Sequence, residues 1–197
     1  QGQFRFEGLD TDPSLEYWPE VTYLDVAYNS ATPYRFAAEQ SSLAATVTVY
    51  ETTEDDSAIT LSSVHLIAES FGQALRVSEI QLFSNAGDRT YVGQVGEGGQ
   101  RGTLEIPLPA GAVGLAMQDG SAEGRFIESA SGWLDTEPVP PGPEGALAFF
   151  SYHLMVGGDS VPVERRFAYP VSEFNILAAQ PGLSLSSTQL QSMGIEQ

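Results

Sequence analysis

Strand-length stretches in which apolar and polar residues alternate recur along the whole chain, roughly every 8–12 residues, each closed by Gly, Pro, Asn, Asp or Ser. A period of two is the signature of a strand with one buried face. With 20 glycines and 12 prolines, the 197 residues are punctuated too often for long helices. The pattern predicts an all-β chain, and 42% apolar content is enough to bury a core. In the strongest stretch, Ala146–Val156, residues Ala146, Ala148, Phe150, Tyr152, Leu154 and Val156 share one side. Leu147, Phe149, Ser151, His153 and Met155 share the other. Both sides are largely apolar, as in a central strand. Phe150, Tyr152, Leu154, Val64 and Leu66 are therefore expected in the core, where Phe150→Ala costs about 3–5 kcal/mol.

The organisation reads as two tandem sandwich-like domains, 1–53 and 57–197, divided by the acidic, turn-prone Glu51–Ser57. The first is incomplete: Gln3–Glu7, Val21–Tyr28 and Leu43–Tyr50 read as strands, and so few strands make a one-sided sheet. In the second, strands are expected at Ser62–Glu69, Ala74–Ser84, Thr103–Leu108, Val113–Met117, Arg125–Glu128, Val161–Phe167 and Phe174–Ala179. Apolar residues change parity between Leu75/Val77 and Ile80/Leu82, which predicts a bulge near Ser78–Glu79. Pro138–Gly145 reads as a stiff loop.

Charge removes whole classes of function. There are 26 acidic residues against 8 basic ones, all arginine, for a formal net charge of -18. Without cysteine there is no thiol chemistry, disulfide or thiolate zinc site; without lysine there is no Schiff base, phosphate-loop lysine or Lys-Asn isopeptide bond. Nucleic acid, which is held by clustered Lys and Arg, is not an expected partner. No run of about 18 apolar residues exists for membrane insertion. Gln1 starts directly in a strand-like pattern rather than a signal peptide, so an exported chain is expected to be a mature or trimmed form. The cysteine-free, acidic, Thr/Ser-rich composition suits an extracellular or cell-surface protein.

The segment Gly2-Gln3-Phe4-Arg5-Phe6-Glu7-Gly8-Leu9 resembles the G-x-F-x-F-x-x-L segment of carboxypeptidase regulatory-like domains, which are transthyretin- or prealbumin-like sandwiches. The strand that follows, Tyr17–Tyr28, is similar to the next strand of that family. The likeness covers about residues 1–53, and the family's opening strands, which precede the motif, are missing. Ser84–Tyr91, Ile106–Ala112 and Tyr169-Pro170-Val171 are similar to a β domain of exported bacterial proteins of unassigned activity. Together these resemblances imply a scaffold or recognition role without catalysis.

Residue chemistry adds few candidates. His65 and His153, the only histidines, fall inside expected strands and read as structural. Gly158-Asp159-Ser160 is a late turn, unlike the early G-D-S of one esterase group. Asp10, Asp12 and Glu16 form one oxygen-rich turn and Asp55 with Asp56 another, of the kind that holds Ca²⁺ between strands; no other cofactor is expected. Trp18 and Trp133 are candidate ligand-binding residues. The leading expectation is a non-catalytic structural or interaction module. It would serve as a subunit of a surface assembly or filament joined by β-strand complementation, with other protein chains, itself included, as partners. The alternative is a glycan or cell-wall binding module using Trp18 and Trp133.

Overall fold

The computed structural model describes residues 2–96, 99–118 and 124–194. They are all-β and divide into two compact units, residues 1–52 and 53–197. The first unit contains one ladder, an antiparallel hairpin of β1 (Glu20–Tyr23) and β2 (Val26–Asn29). The stretch Val21–Tyr28, expected as one strand, is therefore two. The chain reverses at Leu24 and Asp25, both left-handed, with φ of 50° and 62°. Two positive-φ residues in a two-residue loop make a turn whose twist matches the flanking strands. Leucine in that conformation costs about 1–2 kcal/mol, which is why the sequence, lacking Asn-Gly, reads straight through. Gln3–Glu7 and Leu43–Tyr50 join no ladder, contrary to the expectation for each.

β3 (Thr52–Thr53) begins on the last residue of the first unit, and the second unit continues with the long hairpin of β4 (Ile59–Phe71) and β5 (Ala74–Asn85). Next come the short β6 (Thr90–Tyr91), β7 (Gln94–Val95), β8 (Arg101–Gly102), β9 (Glu105–Pro107), β10 (Val113–Met117), β11 (Phe126–Ser129) and β12 (Gly132–Asp135). The long β13 (Gly142–Met155) and β14 (Phe174–Ala178) complete the set. The main sheet has the order β10-β13-β5-β4-β14, antiparallel except for the parallel pair β14/β4. β13 is an interior strand, as its two-sided apolarity requires. A second sheet, β11-β12-β9, supplies Leu104 and Ile106 to the same core as Val64, Leu66, Phe150, Tyr152 and Leu154. Phe150 is fully buried.

Two expected features lie elsewhere than predicted. β5 runs without a bulge at Ser78–Glu79, its register unbroken there against both β4 and β13. The bulge is in β4, where Leu61 pairs with Phe83 and Ser63 with Leu82. The extra residue, Ser62, donates its hydroxyl to the Leu82 carbonyl at 3.0 Å. Pro138–Gly145 is not a loop throughout: Val139 is buried and exchanges both backbone bonds with Tyr91, at 3.0 and 2.8 Å, and β13 already begins at Gly142.

The parity change in β5 has another cause. Leu75, Val77, Glu79, Gln81 and Phe83 all face the core, and two of these positions are polar. Glu79, with no exposed surface, accepts from Arg165 Nε at 2.9 Å and Nη2 at 2.6 Å. It also accepts from the Gln81 amide at 2.6 Å and the Tyr152 hydroxyl at 3.3 Å. Burial, and then the Glu79 carboxylate, holds the Tyr152 hydroxyl protonated well above its usual range. Arg165 lies in the segment Val161–Phe167, expected as a strand, which has no backbone ladder. Its side chains nonetheless alternate, with Val161, Val163, Arg165 and Phe167 turned inward. The third guanidinium nitrogen donates to the Pro107 carbonyl at 2.9 Å. A second ion pair, Arg125 to the buried Asp135 at 2.7 Å, holds the ends of β11 and β12 together.

Removing one member of a buried ion pair strands the other. Arg165→Met is expected to cost about 3–5 kcal/mol in urea unfolding. The double variant Glu79→Met/Arg165→Met is expected to recover part of this loss, stopping short of the parent because Gln81 and the Pro107 carbonyl lose their partners. A double variant no more stable than the single one would show that charge burial is not the cause.

Candidate functional site

The first unit has few buried apolar side chains: Val26, Tyr28 and Phe36 are the ones below a tenth exposed among the described residues. Phe4, Phe6, Leu9, Leu15 and Trp18 are exposed, Phe6 by 64% and Trp18 by 55%. Tyr17 and Tyr34 exchange backbone bonds of 2.8 and 2.9 Å, and the Tyr17 ring meets Phe36 edge-on at 5.7 Å. Tyr17–Glu20, Tyr34 and Phe36, with Thr11, are among the residues that line a groove. Residues 2–9 and 41–45 line the rest of its roughly 1260 Å³. Trp18 therefore stands in an aromatic groove with Phe4 and Phe6 among its lining residues.

The segment Leu43–Thr48 keeps the alternation its sequence predicts, with Leu43, Ala45 and Val47 half-buried and Ala44, Thr46 and Thr48 exposed; Val49 breaks it and is exposed. Side chains stand in for a ladder at three points along one of its edges, while the backbone groups of Ala44 and Thr48 on that edge have no hydrogen-bond partner among the described residues. The Tyr34 hydroxyl accepts the Thr46 N–H at 3.0 Å and donates to the Thr46 carbonyl at 3.1 Å. Tyr28 donates to the Tyr50 carbonyl at 3.1 Å, and Gln40 to the Ser42 carbonyl at 2.6 Å. An N–H and a C=O that meet one hydroxyl point the same way, as in an extended strand, so the groups of Ala45 and Val47 point the opposite way. Among the described residues, the backbone groups of Leu43, Ala45, Val47 and Val49 have no hydrogen-bond partner. This is an open edge on an extended segment that belongs to no sheet.

The second unit treats a similar edge differently. On β9, the Tyr169 hydroxyl takes the Glu105 N–H at 3.3 Å and donates to the Thr103 carbonyl at 3.2 Å. Arg165 covers the carbonyl of Pro107, which has no N–H. That edge is closed by side chains.

The other expected site residues are placed as follows. Trp133 is half-buried in β12 and packed on the core, with its indole nitrogen buried and unbonded. His65 and His153 lie on strands either side of β5, opposite Ile80 and Arg76 respectively. That is an offset of about 13 Å along the strand, so they form no pair. His153 packs on Phe71 at 5.4 Å. Asp159 and Ser160 are exposed. The Asp10 carboxylate accepts the Asp12 N–H at 3.0 Å, and Asp12 accepts the Ser14 N–H at 2.9 Å. Glu16 is ion-paired with Arg35. Asp55 accepts the Ser57 N–H at 3.0 Å, and Asp56 contributes its backbone carbonyl to Ile59. Among the described residues, no group of three or more His, Cys, Asp or Glu side chains is arranged to hold a metal ion.

Sequence reasoning expected unpaired backbone groups in the first domain but did not place them at Leu43–Val49, and it named Tyr34 only among the clustered aromatics, not as the partner of the Thr46 backbone. A strand pattern followed by no second hairpin signal was the available clue. The chain matches no family model, and no curated protein is similar to it in sequence.

The Ser14 and Ser57 N–H groups favour the charged forms of Asp12 and Asp55 and hold both carboxyls below the usual carboxylate value. A depressed folded value stabilises the turns above the unfolded-state pKa, and this support is lost as pH falls through the folded one. Carbon-detected NMR titration should place both midpoints below those of the urea-unfolded chain. Coincident midpoints would show that the turns do not hold the charge.

Proposed function

We propose that this chain is a non-catalytic interaction module of the cell surface or extracellular space, whose first unit is completed by an extended strand from another protein. The observation that supports this most directly is the open edge Leu43–Val49 beside a groove lined with exposed aromatics. Main-chain bonding to such an edge gives affinity, and pockets for alternate side chains give specificity. The likeness of residues 2–9 to a segment of carboxypeptidase regulatory-like domains, which are scaffolds, points the same way, as does a composition without cysteine or lysine. Glycan binding is the second reading. The exposure of Trp18 in the groove favours it, because sugars stack on such rings.

Amide exchange separates the two. A soluble eight-residue peptide alternating valine and threonine is expected to protect the amides of Leu43, Ala45, Val47 and Val49 and to leave that of Thr46 unchanged. Val47→Pro removes an unbonded N–H, so it should preserve the melting temperature and abolish the protection. No protection at millimolar peptide, together with Trp18-dependent binding to oligosaccharides, would replace the strand reading with the glycan one.

A further inference from the structure

A strand-accepting edge leaves the chemistry of the strand open, and the charges around this one narrow it. The only basic residues of the first unit, Arg5 and Arg35, are ion-paired with Glu7 and Glu16. Glu20 lines the groove and has no ion-pair partner among the described residues. Trp18, two residues before it and 55% exposed, lines the same groove, as do the half-buried Tyr17 and the Arg5–Glu7 pair. A groove lined by an unpaired carboxylate and an exposed indole suits a cation: the carboxylate supplies charge and the ring supplies its quadrupole, for which Trp is the best of the aromatics. The chain as a whole carries -18, so an incoming acidic strand is repelled at long range and a basic one is attracted.

We propose that the strand accepted by this unit is basic. It is an extended peptide whose backbone adds to the Leu43–Val49 edge and whose Arg or Lys side chains lie on the aromatic wall beside Glu20. This rests on the strand-accepting reading above, and it commits the occupant to a different protein, since a second copy brings a further net charge of -18.

The test uses the full chain and four eight-residue peptides. Three alternate valine with arginine, threonine or glutamate, and the fourth is the arginine peptide N-methylated at alternate amides. Calorimetry and amide exchange are run on each at low and moderate salt. The arginine peptide is expected to bind at least tenfold more tightly than the threonine one. The glutamate peptide is expected not to bind, and added salt to narrow the difference. Glu20→Gln should weaken the arginine peptide about threefold, as for an exposed ion pair. Trp18→Ala should weaken it by a similar or larger factor. N-methylation should remove both binding and protection of the odd-numbered amides. Equal binding of the arginine, threonine and glutamate peptides, with the edge protected by each, would overturn the basic partner and leave strand addition standing. Equal binding of the N-methylated peptide would overturn strand addition itself, leaving only charge attraction. Protection of the same amides in the chain alone, together with a doubled mass in solution, would make a second copy the occupant.

Discussion

The second unit is tied together through one side chain. Arg165 sits on a segment with no ladder of its own, and its guanidinium divides between Glu79 on the main sheet and the Pro107 carbonyl on the edge of β9. Two layers of a sandwich are ordinarily held by apolar contact, which is non-directional. Here a planar fork with fixed donor directions sets their registry at one point. A carboxylate and a guanidinium taken out of water are costly unless every lone pair and proton is met. Gln81 and Tyr152 meet the remaining valence of Glu79, which is why this network can lie among Phe150, Leu66 and Val77.

That same network explains where the fold was legible in the sequence and where it was not. Ala146–Val156 was readable because its two apolar faces leave only one kind of place in a sheet. β5 was not, because Glu79 and Gln81 stand at inward positions and make the apolar pattern change sides at Ile80 and Leu82, which are in fact on the outer face. Polar residues at inward parity between Val77 and Phe83 were the available signal. Their partner, Arg165, is 86 residues away, a separation no local pattern can report. Leu24–Asp25 hid a turn for the opposite reason, since Asp tolerates the left-handed conformation but Leu does not advertise it.

At the candidate site, composition pointed to the aromatic residues and to a lack of thiol and lysine chemistry, and Trp18 does line the groove. Alternation in Leu43–Tyr50 correctly described the side chains, but alternation carries no information on whether a neighbour is hydrogen-bonded alongside. The two strand-like edges, one on a strand paired with β12 and met by Tyr169 and Arg165, the other on a segment with no ladder and left open opposite Tyr34, differ in neighbours contributed from elsewhere in the sequence. Tyrosine hydroxyls act in both places as single-atom substitutes for a neighbouring backbone, accepting an N–H and donating to a C=O.

The parallel pairing of β14 with β4 bears on how the protein is made. Phe174 lies opposite Val64, so the main sheet stays open at β4 until 110 further residues have been synthesised. At ribosomal rates of about 5–20 residues per second this is on the order of ten seconds. During that interval the β4–β5 hairpin has a long apolar strand with one unpaired side, and a passing strand from another nascent chain can dock there as readily as its own β14. Crowding of ribosomes on one message is therefore the condition under which this fold is most exposed to misassembly.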